Sequence, residues 1–210
     1  MSESTSEVAA EALPLDQQPQ APPESRPAAE EMDAEQIARR EAALAQVRKL
    51  GDPVLRSRAV SVERFDETLR EEVARMSRLM GDALGIGLAA TQLGILHRVL
   101  VYRVQRDARV VVLVNPELDY TAKELETAEE GCLSLPGVHV EVERPLHVAV
   151  HARDELGEPL TVEASGLEAR VIQHEMDHLD GVLILDRTTR EQRREAMRAM
   201  REAQTQATGP

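Results

Sequence analysis

Apolar positions recur along the chain with two different periods, and the places where the period changes divide it into elements. Leu69, Val73, Met76 and Met80 repeat at helical spacing and predict an amphipathic helix over 66–83, with Asp66 as its N-cap. An earlier helix starts near Asp33, where Gln36 stands in a capping-box relation, and runs to about Leu50 before Gly51-Asp52-Pro53. The period then shortens to two. Segments 98–104 and 109–115 are rich in β-branched residues and flank the polar turn 105–108, which predicts a hairpin. Val138, Val140 and Val142 alternate with polar residues over 138–143, as in a half-buried strand. Segments 146–152 and 160–163, on either side of 155–158, predict a second hairpin.

Helical spacing returns after these strands. Ser165 and Glu168 read as a capping box that opens a third helix, and Gly181 closes it. A short strand over 182–185 and a last helix from about 189 to 203 follow. The order of helices, strands and helices predicts an α+β fold, with antiparallel sheets packed around a central helix, N-terminal helices and a C-terminal helix. No internal repeat is visible.

Composition changes this picture at the ends. Residues 1–31 hold five of the eleven prolines and lack an apolar face. Residues 1–32 are therefore expected to be a disordered, acidic, Pro/Ser/Glu-rich tail, 33–203 a single domain, and 204–210 a disordered C-terminus. The net charge is −13, and nine carboxylates against one Arg in the first 36 residues account for most of it. An acidic chain with three aromatics (Phe65, Tyr102 and Tyr120) is a poor match for DNA or for a base-stacking platform. It has no membrane-length apolar run and no signal-peptide pattern, so a cytoplasmic location and no membrane partner are expected. Cys132 is the only cysteine, which excludes an intramolecular disulfide.

The third helix carries His174-Glu175-Met176-Asp177-His178, an H-E-x-x-H motif. Spacing i, i+4 sets both imidazoles on one face about a turn apart, where they can share one metal ion. Leu167 and Val171 lie on that face, which predicts that it is the buried one. Glu175 sits one position round, placed for a water rather than for the metal. Chance histidines on a surface helix would give the same pattern. A catalytic metal site also needs a third protein ligand. Cys132, in Glu130-Gly131-Cys132-Leu133-Ser134, is either that ligand or a buried inert thiol.

At this point the sequence resembles a known family. Gly85-Ile86-Gly87-Leu88-Ala89-Ala90-Thr91-Gln92, Glu130-Gly131-Cys132-Leu133-Ser134 and Gln173-His174-Glu175-Met176-Asp177-His178-Leu179-Asp180-Gly181 are similar to the three motifs of the peptide deformylases, in the family's order. The likeness covers roughly 45–185. It implies that Cys132, His174 and His178 are metal ligands and that Glu175 is the general acid/base. It further implies that the Gln92 side-chain amide and the Leu133 backbone N–H donate to the oxyanion, and that Gly87 lines the substrate channel. The expected activity is hydrolysis of the formyl group from the N-terminal N-formylmethionine of newly made proteins, releasing formate. The expected cofactor is one divalent transition metal, Fe²⁺ first, with Zn²⁺, Ni²⁺ or Co²⁺ also found in the family.

Two other readings fit parts of the pattern. A metallopeptidase could use H-E-x-x-H with Cys as third ligand. A non-enzymatic relative could keep the fold as a binding module, although none of the residues named above is lost. The expected partner is the nascent formyl-Met polypeptide. The Arg-rich C-terminal helix, with Arg190, Arg193, Arg194, Arg198 and Arg201, is a candidate for docking on ribosomal RNA. His139, His147 and His151 read as solvated strand residues, and Arg170 as a side chain that snorkels to water.

Overall fold

Val99-Leu100-Val101-Tyr102 forms a strand buried on both faces, and the architecture follows from what covers each side. The structure is a computed structural model that describes residues 32–207; the expected disordered tail lies outside those residues except for Met32. In chain order the elements are α1 (Ala34–Gln46), α2 (Glu67–Asp82), β1 (Gly87–Ala89), β2 (Val99–Tyr102), β3 (Val111–Thr121), β4 (Leu125–Cys132) and β5 (Leu135–Pro145). They continue with β6 (His147–Arg153), β7 (Pro159–Ser165), α3 (Leu167–Leu179), the one-turn helix α4 (Ile184–Arg187) and α5 (Arg190–Ala207).

Strands β1-β2-β3-β6-β7 form one antiparallel sheet in that order, and β4-β5 form a separate antiparallel pair. Side chains of a strand alternate between faces. Val99 and Val101 therefore pack with Val73, Met76 and Met80 of α2, and Leu100 and Tyr102 with Ile172, Met176 and Leu179 of α3. A third core joins Val138, Val140 and Val142 of β5 to Leu183, Ile184 and Leu185, and Met197 and Met200 of α5 pack against it. The α+β expectation, with antiparallel sheets around a central helix, describes this arrangement. Among the described residues no helix is long and apolar enough to cross a membrane.

The N-terminal helix signals act as read. Asp33 accepts from Gln36 N at 2.8 Å and completes its box with Gln36, and Asp66 accepts from Leu69 N at 3.3 Å. Several expectations need correction, most of them for a tertiary reason. Helix α1 stops at Gln46 rather than near Leu50, because Arg48 N donates to Gln92 O at 2.7 Å and Leu50 N to Ser134 O at 3.0 Å. Helix α3 opens after Gly166, not on a Ser165–Glu168 box. Ser165 instead pairs with His147 Nδ1 at 2.7 Å, and Glu168 accepts from Tyr102 Oη at 2.9 Å.

Residues 182–185 lead into α4 instead of forming a strand, and the Asp186 side chain accepts from Leu183 N at 2.9 Å. Residues 204–207, expected in a disordered C-terminus, are helical because α5 runs through Ala207, and 208–210 lie outside the described residues. Strand β4 was not expected at all. Its sequence, Leu-Glu-Thr-Ala-Glu-Glu-Gly-Cys, has little strand propensity and is held by pairing with β5. Strand β3 also continues past Pro116 through two irregularities in its register with β6. At the first, Asn115 adopts a left-handed φ of 53°, and its carboxamide bonds both the N–H and the C=O of Val62, at 2.8 and 2.9 Å.

Candidate active site

Three parts of the fold meet around Cys132. The end of β4 supplies the thiol, and the buried face of α3 supplies His174 and His178. The 3-10 turn Ala90–Leu93 supplies Gln92. The ligand atoms of Cys132, His174 and His178 all lie within 4.8 Å of one another; among the described residues no other three His, Cys, Asp or Glu side chains converge in this way. Cys132 Sγ is 3.2 Å from His178 Nε2, and the two imidazole rings stand 5.1 Å apart at 68°. Buried atoms without a hydrogen-bond partner cluster here too: His178 Nδ1 and Glu175 Oε2. One thiolate and two imidazoles suit a divalent transition metal and disfavour Mg²⁺ or Ca²⁺.

The electrostatics agree with a thiolate ligand. Burial pushes the Cys132 thiol up, but His178 and His174 outweigh it and bring the thiol well below its ordinary value. Burial pushes Glu175 above the ordinary carboxylate value, against the pull of both histidines. Glu175 is 4% exposed and lies against Gly87: a Cβ on Gly87 would sit 2.9 Å from both Cγ and Cδ of Glu175. Gly87 is thus where backbone gives way to the carboxylate.

Gln92 is fixed by its own turn. Its Oε1 accepts from Ala89 N at 2.9 Å, which directs Nε2 to Ser134 Oγ at 3.3 Å and toward Cys132 Sγ at 3.8 Å. The amide donor therefore faces the thiol side of the site. Lys49 Nζ donates to Leu133 O at 3.0 Å and ties down the segment that follows Cys132.

Behind the histidines lies a buried charge network that sequence reasoning missed. With Glu130 ionised, His174 Nδ1–H donates to Glu130 Oε2 at 2.9 Å, which leaves Nε2 for a metal. Arg144 makes a bidentate contact with Glu130, at 2.6 and 2.9 Å, and donates to Asp177 at 2.9 Å. Arg170 donates to Glu130 Oε1 at 2.9 Å and to the Val142 and Glu126 carbonyls; Arg187 closes on Asp177. Burial alone would raise Glu130, but Arg144 and His174 hold it at about 2. Arg170 is therefore buried and paired, not snorkelling to water. The signal for Arg144 was present: it continues the Val138, Val140, Val142 parity onto the buried face, where an arginine needs partners.

A cleft of about 440 Å³ opens beside these groups. Gly87, Gln92, Cys132, Leu133 and Glu175 line it together with Arg40 and Leu44 of α1, Leu84, Ile86, Pro136 and His139. His139 is exposed and lies 3.2 Å from Glu129, and His151 is exposed beside Thr161, as expected of solvated strand residues.

The sequence model of a family described as polypeptide deformylase matches residues 44–194. A peptide deformylase of Acidothermus cellulolyticus is 49% identical over 158 residues, covering 75% of this chain and 86% of the relative. One from Parafrankia sp. is 47% identical over the same shares. Among solved structures, a peptide deformylase from Synechococcus elongatus in complex with actinonin superposes with a TM-score of 0.71 at 46% identity, over 73% of this chain and 86% of that one. A peptide deformylase from Legionella pneumophila gives 0.73 at 38% identity, over 78% and 98%.

Proposed function

The chain belongs to the polypeptide deformylase family, and from that premise we propose the role of each residue in removing the formyl group from the N-terminal formyl-methionine of nascent peptides. The observation that carries the reading is the convergence of Cys132, His174 and His178 beside Glu175, with the amide donor of Gln92 aimed at the same point. Cys132 Sγ, His178 Nε2 and His174 Nε2 would hold one metal. When bound, such a metal polarises the formyl carbonyl and brings the pKa of water toward neutrality.

The chain's own residues do the rest. Glu175 accepts the proton of the attacking water, and its burial suits a carboxylate that must also give the proton back. Gln92 Nε2 and the Leu133 N–H donate to the oxygen that gains negative charge as the formyl carbon becomes tetrahedral; one such donor is worth about 3–4 kcal/mol. Glu175 then protonates the departing amine, and formate leaves. Gly87 keeps the wall of the cleft open for Glu175 and the formyl end of the substrate.

For the metal itself we favour Fe²⁺, with Zn²⁺, Ni²⁺ and Co²⁺ compatible with the same donors. Metal analysis of protein purified without oxygen, alongside formate release from a formyl-Met peptide and its acetylated analogue, tests both parts. Release from the formyl peptide alone supports the reading; no release from fully loaded protein overturns it. Cleavage of unformylated peptides would instead support a metallopeptidase.

Two finer readings complete the proposal. Residues 33–203 act as one catalytic domain in the cytoplasm. The surface of α5 formed by Arg190, Arg193, Arg194 and Arg201 around Met197 supports docking on ribosomal RNA. Salt-sensitive co-sedimentation with ribosomes is the expected result; sedimentation unchanged by truncation at Thr188 would sink it.

A further inference from the structure

Helix α1 starts ten residues before the segment that matches the family, at Ala34 against residue 44. It is folded onto the domain all the same. Ala43 and Val47 are buried in the core that contains α2, Leu44 packs against it, and Gln46 Oε1 accepts from Arg75 Nη2 at 2.9 Å. Arg40 and Leu44 stand four residues apart, so they share one helix face. Both line the cleft that holds Gln92, Cys132 and Glu175. Exposed apolar side chains share this cleft, Leu84 and Ile86 at 56% and 44% exposed together with Pro136, and His139 lines it too. Arg39, the preceding residue, reaches Glu35 at 3.7 Å, whereas Arg40 has no carboxylate partner among the described residues.

The geometry assigns Arg40 to the substrate: it reads a carboxylate among the residues that follow the formyl-methionine. This rests on the deformylase reading above. A formylated chain has no N-terminal ammonium, so the charges it brings to the cleft are those of its next side chains. A guanidinium at the cleft attracts Asp or Glu there and repels Lys or Arg. Rim charges act on encounter and binding more than on chemistry, so the preference belongs in KM rather than kcat. Substrate selection then depends on a residue four positions before the family-matched segment.

The test uses the metal-loaded full chain and tetrapeptide amides, so that no terminal carboxylate competes. Formyl-Met-Ala-Ala-Ala-amide is the reference. Glu, Gln or Lys replaces each alanine in turn. The expected result is a kcat/KM about two- to five-fold higher for Glu than for Gln at one or more positions, the range for an exposed ion pair. The gain should sit in KM and shrink as salt is raised. It should vanish in Arg40→Ala, turn toward Lys in Arg40→Glu, and persist in Arg39→Ala. Equal rates for Glu and Gln at every position, or a Glu preference that survives Arg40→Ala, would overturn the assignment. Failure of the reference peptide itself would overturn the deformylase reading instead.

Discussion

Gly87 and Glu175 share a space that can hold the carboxylate only because residue 87 has no side chain. A Cβ there would lie 2.9 Å from Cγ and Cδ of Glu175. The Gly87→Ala variant should fold, since Gly87 has no positive φ and the nearest atoms an added Cβ meets are those of the Glu175 side chain, but Glu175 must move. Displacing a reacting group by about 1 Å can cost about 100-fold in rate. We expect a loss of that order in kcat with metal content unchanged. Near-normal turnover would show that Glu175 does not act from this position.

Glu175 Oε2 is buried without a hydrogen-bond partner, and in the proposed mechanism Glu175 is not a metal ligand. Glu175→Ala should keep full metal occupancy and lose about 10²–10⁴ in kcat, the span of a general acid/base. Formate release and metal content measured on one preparation check both statements.

Cys132 offers the one sulfur among the converging donors. Cys132→Ser should weaken metal affinity, seen as faster loss to a chelator, and activity should fall with occupancy. Full occupancy at normal affinity would remove Cys132 from the ligand set.

Arg144 neutralises two buried carboxylates at once, Glu130 and Asp177. Arg144→Ala leaves Glu130 to Arg170 and Asp177 to Arg187, so the cost should approach but not exceed about 3–5 kcal/mol, that of a buried charge left unpaired. Denaturant unfolding should show that loss. Glu130→Gln should act differently. It keeps a hydrogen-bond acceptor for His174 but not the charge, and altering such a partner typically costs about 10–100-fold in metal affinity.

Asp186 gives a pH dependence. Burial raises its carboxyl, but Arg56, the Leu183 N–H and Arg193 outweigh this and hold it below its ordinary value of 3.8. A carboxyl whose folded pKa is depressed binds fewer protons folded than unfolded. Its stabilisation is therefore present in full above the unfolded value and is lost as pH falls through the folded one. Asp186→Asn should lower the melting temperature at pH 7, and the gap from the parent should close in acid. A gap that stays constant down to pH 2 would refute this.

The helix and hairpin signals that depend on local chemistry were legible in the sequence. Asp33 and Asp66 cap as their side chains dictate, and the alternation of β5 reports its buried face. The motifs led to Cys132, His174, Glu175, His178 and Gln92, and the structure brings these together. What stayed hidden depends on partners distant in sequence. Ser165 looks like a cap until His147 is seen to occupy it, and β4 looks too acidic for a strand until β5 pairs with it. Arg170 reads as a surface side chain because Glu130, its partner, comes from strand β4, forty residues earlier.

The candidate ligands come from elements that local folding does not join. Cys132 sits at the turn of one hairpin, at the end of β4, while the histidines ride on a helix that follows the next. The thiol meets the imidazoles only once the β4–β5 pair has settled against α3, so before folding an incoming ion finds at most the two imidazoles of α3 together. We expect the complete three-donor site to form only with the folded scaffold. Selection among competing ions in the cell then falls to the geometry of the folded pocket and to which ion is at hand. The main refolding phase should run at the same rate with or without Zn²⁺ in the buffer, and acceleration by the ion would show capture before folding.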